Sequence, residues 1–114
     1  MPLPEFTKKL VETKLTEYCE HKIHIDIRDQ VTLTFKIMRD KVTLIDTRPY
    51  FKDPSIWTEN PVAQFRFDTE TKKWTLYCID RNSRWHLYDL TKPSADFDDM
   101  LKALDEDRTG IFWG

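Results

Sequence analysis

Apolar and polar residues alternate with a period of two through the middle of the chain and fall at helical spacing near its two ends. Over residues 31–38, Val31, Leu33, Phe35 and Ile37 share one face, and Thr32, Thr34 and Lys36 share the other. After Arg39-Asp40, a second alternating run over 41–47 sets Val42 and Leu44 opposite Ile37 and Phe35 if the loop has two residues. Residues 62–68 turn Ala63, Phe65 and Phe67 inward and Gln64 and Arg66 outward. A polar TETK turn then leads to a strand from Lys73 whose natural register pairs Phe67 with Trp74 and Phe65 with Leu76.

The segment KWTLYCIDRNSRWHLYDL, residues 73–90, reads as a hairpin folded across Asp80-Arg81-Asn82-Ser83-Arg84. Loop length decides which faces meet. An even-numbered loop puts Trp85 and Leu87 beside Leu76 and Cys78 in the core and leaves His86 and Tyr88 beside Tyr77 and Ile79. A three-residue loop swaps the second strand's faces. The even loop is the expectation here.

Residues 4–21 carry Phe6, Leu10, Val11, Leu15, Tyr18 and Cys19 as a broad apolar helical stripe, with Pro4 suited to the first helical position and Glu5 to the positive end of the dipole. Residues 21–30 alternate Ile23, Ile25 and Ile27 with polar residues, as a short strand or extended connector of unassigned pairing. Residues 48–60, RPYFKDPSIWTEN, hold two prolines and no sustained period, and read as a surface excursion pinned by Tyr50, Phe51 and Trp57. Near the end, Pro93 and Ser94 start a helix, Asp96, Asp98 and Asp99 suit its positive end, and Phe97, Met100, Leu101 and Leu104 share a face. The helix should stop before Gly110, and the apolar Ile111, Phe112 and Trp113 should dock. The fold class is α+β in a single domain over residues 1–114: N-terminal helix, antiparallel meander of about five strands, C-terminal helix with a docked tail.

Composition narrows the function classes. At 114 residues with 13% aromatics, the chain is long enough for one ring-rich core. Its formal charge of −2, with both signs interspersed, argues against a general phosphate-backbone binder. The opening MPLPEF lacks the marks of a secretion signal, and no apolar stretch approaches the roughly 18 residues of a membrane helix, so a soluble, cytoplasmic protein with no membrane partner is expected. Cys19 and Cys78 fall in the expected helix and a central strand, where a free thiol acts as a small buried hydrophobe; the sequence is silent on whether they stay reduced, a disulfide being the less common outcome in such a compartment. No spacing matches a cofactor fingerprint, and none is expected.

Three groupings could carry chemistry. With the even loop, Gln64, Arg66, Thr75, Tyr77, Ile79, His86 and Tyr88 share the face away from the helices, where rings stack a partner and arginine pairs with phosphate or carboxylate. The excursion or a second copy of the chain could equally cover that face. Asp80, Arg81, Arg84 and His86 hold the ingredients of acid–base chemistry, yet they also make an ordinary solvated turn. Cys19, His21 and His24 form C-x-H-x-x-H, which matches no standard zinc pattern and reads first as structural. The acidic runs 96–99 and 105–107 lack a calcium loop's glycine and spacing, and serve as helix ends.

Taken together, FTKKLVETKLTEYCEHKI, RPYF, PVAQFRFD, KWTLYCIDRNSRWHLYDL and TGIFWG resemble a family of small bacterial proteins known as a domain of unknown function. The combination of W-T-L-Y-C, D-R-N-S-R-W-H-x-Y and the terminal G-I-F-W-G carries the likeness. It implies a bacterial, stand-alone soluble domain and brings no activity or catalytic residue. The leading expectation is therefore a non-enzymatic interaction module, with Arg66, Tyr77, Arg84, His86 and Tyr88 facing a protein partner or a second copy. The alternatives are a small metal-independent nuclease or hydrolase using His86, Asp80 and Arg84, and a single-stranded nucleic-acid binder.

Overall fold

The computed structural model describes residues 3–22, 32–50 and 52–112. Its elements run α1 (Glu5–Lys22), β1 (Thr32–Met38), β2 (Lys41–Tyr50), β3 (Asp53–Asp68), β4 (Lys73–Ile79), β5 (Trp85–Leu87) and α2 (Phe97–Glu106). The strands form one antiparallel meander in the order β1-β2-β3-β4-β5, so the α+β architecture expected from the alternating pattern is the one observed. The extended reading of 23–30, with His24 in it, lies outside the described residues. No described helix is long and apolar enough to cross a membrane.

Both helices lie on one face of the sheet. Val11 and Leu15 of α1 and Phe97, Met100 and Leu104 of α2 join Leu33, Leu44, Phe65, Trp74 and Leu76 in a single core. The rings of Phe65, Phe97 and Trp74 meet edge-on with centroids 4.9 Å apart, and Phe67 closes on Trp74 at the same distance, a spacing and tilt that suit aromatic quadrupoles. Asp96 caps α2 by accepting from the Asp98 amide, and Asp107 ends it in the left-handed region at φ 42°. The helix therefore begins after Ser94 rather than at it; Ser94 instead bridges to Trp74 on the sheet.

The two helices are tied to each other as well. Lys14 Nζ donates to both carboxylate oxygens of Asp98 at 2.8 Å, and Asp105 accepts from the Tyr18 hydroxyl at 2.7 Å and from Lys22 Nζ at 3.2 Å. Burial, then the neighbouring Asp105, pushes the Tyr18 hydroxyl pKa well up, so it stays a donor. The broad stripe expected on α1 is narrower in fact. Only Val11 and Leu15 are buried, with Tyr18 and Cys19 packed partly against the core, whereas Phe6 is 79% exposed. Pro4 sits just outside the helix, its carbonyl accepting from the Lys8 amide.

Two hairpin registers follow the alternation as read. Phe35 faces Leu44 and Ile37 faces Val42 across the two-residue Arg39-Asp40 turn, with Arg39 at φ 57° doing what a glycine would do more easily. Phe65 faces Leu76, and Phe67 faces Trp74. Two other expectations are overturned. Residues 48–60 are not an irregular excursion: β2 and β3 run on through them as one long hairpin, pairing Thr47 with Glu59 and Pro49 with Trp57. Among the described residues the pairing of β1 reaches Thr32 with Thr47 and that of β4 reaches Cys78 with Ala63, so no described strand pairs with the outer sides of this arm, where proline is tolerated. Trp57 on this arm is 46% exposed. Phe51 lies outside the described residues.

The second correction concerns β5. Ile79 pairs with Trp85, Cys78 with His86 and Tyr77 with Leu87, which leaves a loop of five residues, 80–84, rather than an even number. Directly opposed residues share a face, so Trp85 and Leu87 lie away from the helices and Tyr88 turns into the core, 5% exposed, with its ring 4.9 Å from Phe112. Of the tail expected to dock, Phe112 does so, Ile111 does not and is 47% exposed, and Trp113 lies outside the described residues. Trp74→Ala should cost about 3–5 kcal/mol and Leu87→Ala less than about 0.5 kcal/mol, measured by urea unfolding. Comparable losses at both positions would contradict the assigned faces.

Candidate functional site

The helix-free face is built by strand periodicity. Thr34 and Lys36 of β1, Thr43 and Ile45 of β2, Gln64 and Arg66 of β3, Thr75, Tyr77 and Ile79 of β4, and Trp85 and Leu87 of β5 share it by register. Its two halves differ. On the β1–β3 side, Lys36 Nζ reaches Glu59 at 3.1 Å from rows either side of Ile45, and Ile45 is only 5% exposed. On the β4–β5 side Tyr77, Ile79 and Trp85 are half-buried, and Leu87 is 53% exposed.

Between the halves lies a polar relay that positions one cation. Gln64 Nε2 donates to Thr43 Oγ1 at 3.0 Å, and Arg66 Nε donates to Gln64 Oε1 at 2.7 Å. The Arg66 guanidinium carbon stands 3.8 Å over the centroid of the Tyr77 ring. Three neighbouring strands thus hold the planar fork in one orientation. Among the described residues no carboxylate pairs with Arg66, although a cavity of about 440 Å³ beside it is lined by Asp40, Asp68, Glu70 and Thr75 as well as by Arg66 and Tyr77. The Asp68 carboxylate is engaged in the β3–β4 turn, accepting from the amides of Glu70 and Thr71.

Of the residues singled out for binding in the sequence, Arg66 and Tyr77 meet on this face, whereas Arg84, His86 and Tyr88 do not join them. Tyr88 is core, and its hydroxyl has no hydrogen-bond partner among the described residues. His86 pairs with Cys78 on the helix side and is exposed at the sheet's edge. Trp85 and Leu87 take the places assigned to His86 and Tyr88. The loop's own chemistry held the signal for this: an aspartate at its first position binds amides further along and stabilises a wider turn.

That aspartate is the centre of the acid–base grouping. Asp80 Oδ1 accepts from the amides of Asn82 and Arg84 at 2.8 and 2.9 Å, while Oδ2 meets His86 Nε2 at 2.6 Å. Ser83 takes φ 61° to close the turn. The His86–Asp80 contact first, and the Arg84 amide second, hold the Asp80 carboxyl below its usual range. Arg84 supplies its backbone, with its side chain exposed rather than aimed at the pair. The arrangement fastens a turn. The four cavities described around the fold are lined by residues other than His86 and Asp80.

The C-x-H-x-x-H grouping is dispersed. Cys19 packs half-buried against the core, and burial raises its thiol pKa to about 11. His21 Nδ1 meets the Glu17 carbonyl at 2.8 Å within α1, and His24 lies outside the described residues. Among the described residues no three His, Cys, Asp or Glu side chains are placed to hold a metal. Cys19 and Cys78 are free thiols, with Cys78 Sγ donating to the His86 carbonyl at 3.6 Å.

Because the folded Asp80 carboxyl titrates below its unfolded counterpart, its contribution to stability is present above the unfolded value and lost as pH falls through the folded one. Acid titrations of the parent chain and Asp80→Asn should therefore diverge near neutrality and converge well below the usual carboxylate range. A stability gap between the two that is constant across the titration would show that the ionised carboxylate does not fasten the loop.

The description of DUF3024, a domain of unknown function, matches residues 3–114 and so takes in every segment from Phe6 onward that carried the resemblance in the sequence. No curated protein and no solved structure matches the chain. With all but the first two positions inside that match, the chain belongs to the DUF3024 family.

Proposed function

We propose that this chain is a non-enzymatic interaction module of the bacterial cytoplasm that engages a protein partner, another protein or a second copy, through the β3–β5 half of its helix-free sheet face. The observation that carries this reading is the distribution of burial across one sheet. The helix side is closed by a continuous core, while Tyr77, Ile79, Trp85 and Leu87 lie together on the opposite side with Leu87 more than half exposed. An apolar and aromatic area rimmed by polar residues is the anatomy of a protein contact. Hydrolysis has less support, because Asp80 is committed to two backbone amides and His86 stands at an open edge.

Affinity capture with the parent chain and with a Trp85→Ala, Leu87→Lys double variant, alongside light scattering of both, tests the reading. Partner chains or a dimer present with the parent and lost with the variant are expected. An identical captured set and identical mass for both would overturn it. Incubation with single-stranded RNA provides the contrast: cleavage abolished by His86→Ala would replace the module with a nuclease, and binding that weakens steeply with salt would replace it with a nucleic-acid platform.

A further inference from the structure

We propose that the cavity beside Arg66 is a binding site for a mixed-charge peptide segment, one carrying an acidic side chain and, within a few residues, a basic one. This rests on the reading of the helix-free face as a protein contact and gives that contact its chemistry.

The argument starts from what Arg66 already does. Its Nε is used on Gln64 and its flat face lies 3.8 Å from the Tyr77 ring centroid, so the side chain is fixed at both. The terminal nitrogens are left without a carboxylate among the described residues. A guanidinium held in this way has its orientation settled before any ligand arrives, and its remaining donors form the fork that matches a carboxylate or phosphate in two parallel hydrogen bonds. Such an arginine is an anion-binding group.

The surroundings decide which anion. Asp40, Asp68 and Glu70 line the same cavity of about 440 Å³, with Thr75 as a neutral neighbour. Within the cavity lining itself three carboxylates face one cation, Arg66, with Lys41 opposite it on β2 and Lys73 opposite Asp68 on β4, so a polyanion threaded through the cavity would bring phosphates against those carboxylates at a like-charge cost. A ligand with one acid for Arg66 and one base for the carboxylate rim meets the opposite sign at both ends. Tyr77, stacked under the guanidinium, shields the ion pair on one side from water, which strengthens it. The chain's net charge of −2 points the same way, against a nucleic acid and toward a protein segment.

The test is heteronuclear NMR on the full chain, following the Arg66 Nε–H signal and the Thr75, Tyr77 and Leu87 amides. The probe is a blocked peptide, acetyl-Ala-Glu-Leu-Lys-Ala-amide, raised to millimolar concentration, with its Glu-to-Gln counterpart and an oligo-uridylate as contrasts. The peptide should move Arg66, Thr75 and Tyr77. The glutamine counterpart, and separately Arg66→Lys, should each weaken binding at least tenfold, since lysine keeps the charge and loses the fork. Tyr77→Leu should weaken it as well, which guards against a folding defect peculiar to one variant. Peptide binding unchanged by Arg66→Lys overturns the inference. Shifts confined to Leu87 overturn it while leaving the wider face as the contact surface. Tighter binding of oligo-uridylate than of the peptide overturns both.

Discussion

Everything about the usable surface of this chain depends on a cluster of four rings. Phe65 and Phe67 on β3, Trp74 on β4 and Phe97 at the start of α2 touch in pairs with centroids 4.9 Å apart. Three of them come from adjacent strands and point to one face; the fourth brings a helix down on that face. Once Phe97 is committed there, Met100 and Leu104 follow it by helical spacing, and α1 is drawn alongside through Lys14 with Asp98 and Tyr18 with Asp105. Both helices are then spent on the same side. The other side of the sheet is open as a consequence of this packing, and its residues are those whose parity in each strand is opposite to the ring cluster.

The same parity explains what was legible in the sequence. Where a strand pair is joined by a short turn and one face is strongly apolar, as with Phe35 against Leu44 or Phe65 against Leu76, register follows from alternation alone, because a slip by one would expose the entire apolar set. Both strands of the last hairpin have apolar residues on both faces: Trp85 and Leu87 on one side, Tyr88 on the other. Alternation could not choose between them. The choice was made by Asp80, whose carboxylate gathers two amides, and by Ser83 in the left-handed region, which together stabilise five residues instead of four. The arm over 48–60 was hidden for a different reason. Its prolines argue against a central strand, and among the described residues neither of its strands has an outer partner.

Of the expected site, Arg66 and Tyr77 were legible because they lie on the two strands whose register the ring cluster fixes. Their contact was not, since nothing in alternation says that an arginine will stack on the ring of the next strand. That depends on Gln64, which accepts from Arg66 and donates to Thr43, holding the arginine flat across the sheet. His86, Arg84 and Tyr88 were placed with them by the loop length alone and left with it.

The two halves of the open face bear on why it should be read as a contact surface and not merely as a solvated sheet. Antiparallel sheets commonly show one face to water, and the β1–β3 half does so in the ordinary way, with Thr34, Thr43 and the Lys36–Glu59 pair around a sealed Ile45. The sequence thus holds a working solution for a solvated face. The β4–β5 half departs from it beyond Lys73 and Thr75: Tyr77, Ile79, Trp85 and Leu87 carry no charge, and no ion pair spans them among the described residues. Exposed apolar area of this kind favours association, since covering it releases water from about as much surface as it hides. Arg66 stands on the boundary between the halves, oriented by Gln64 from one side and by Tyr77 from the other. A partner that covered the apolar half would meet a fixed cation at its margin, where a single complementary charge sets the register of the contact and the apolar rings supply most of its strength.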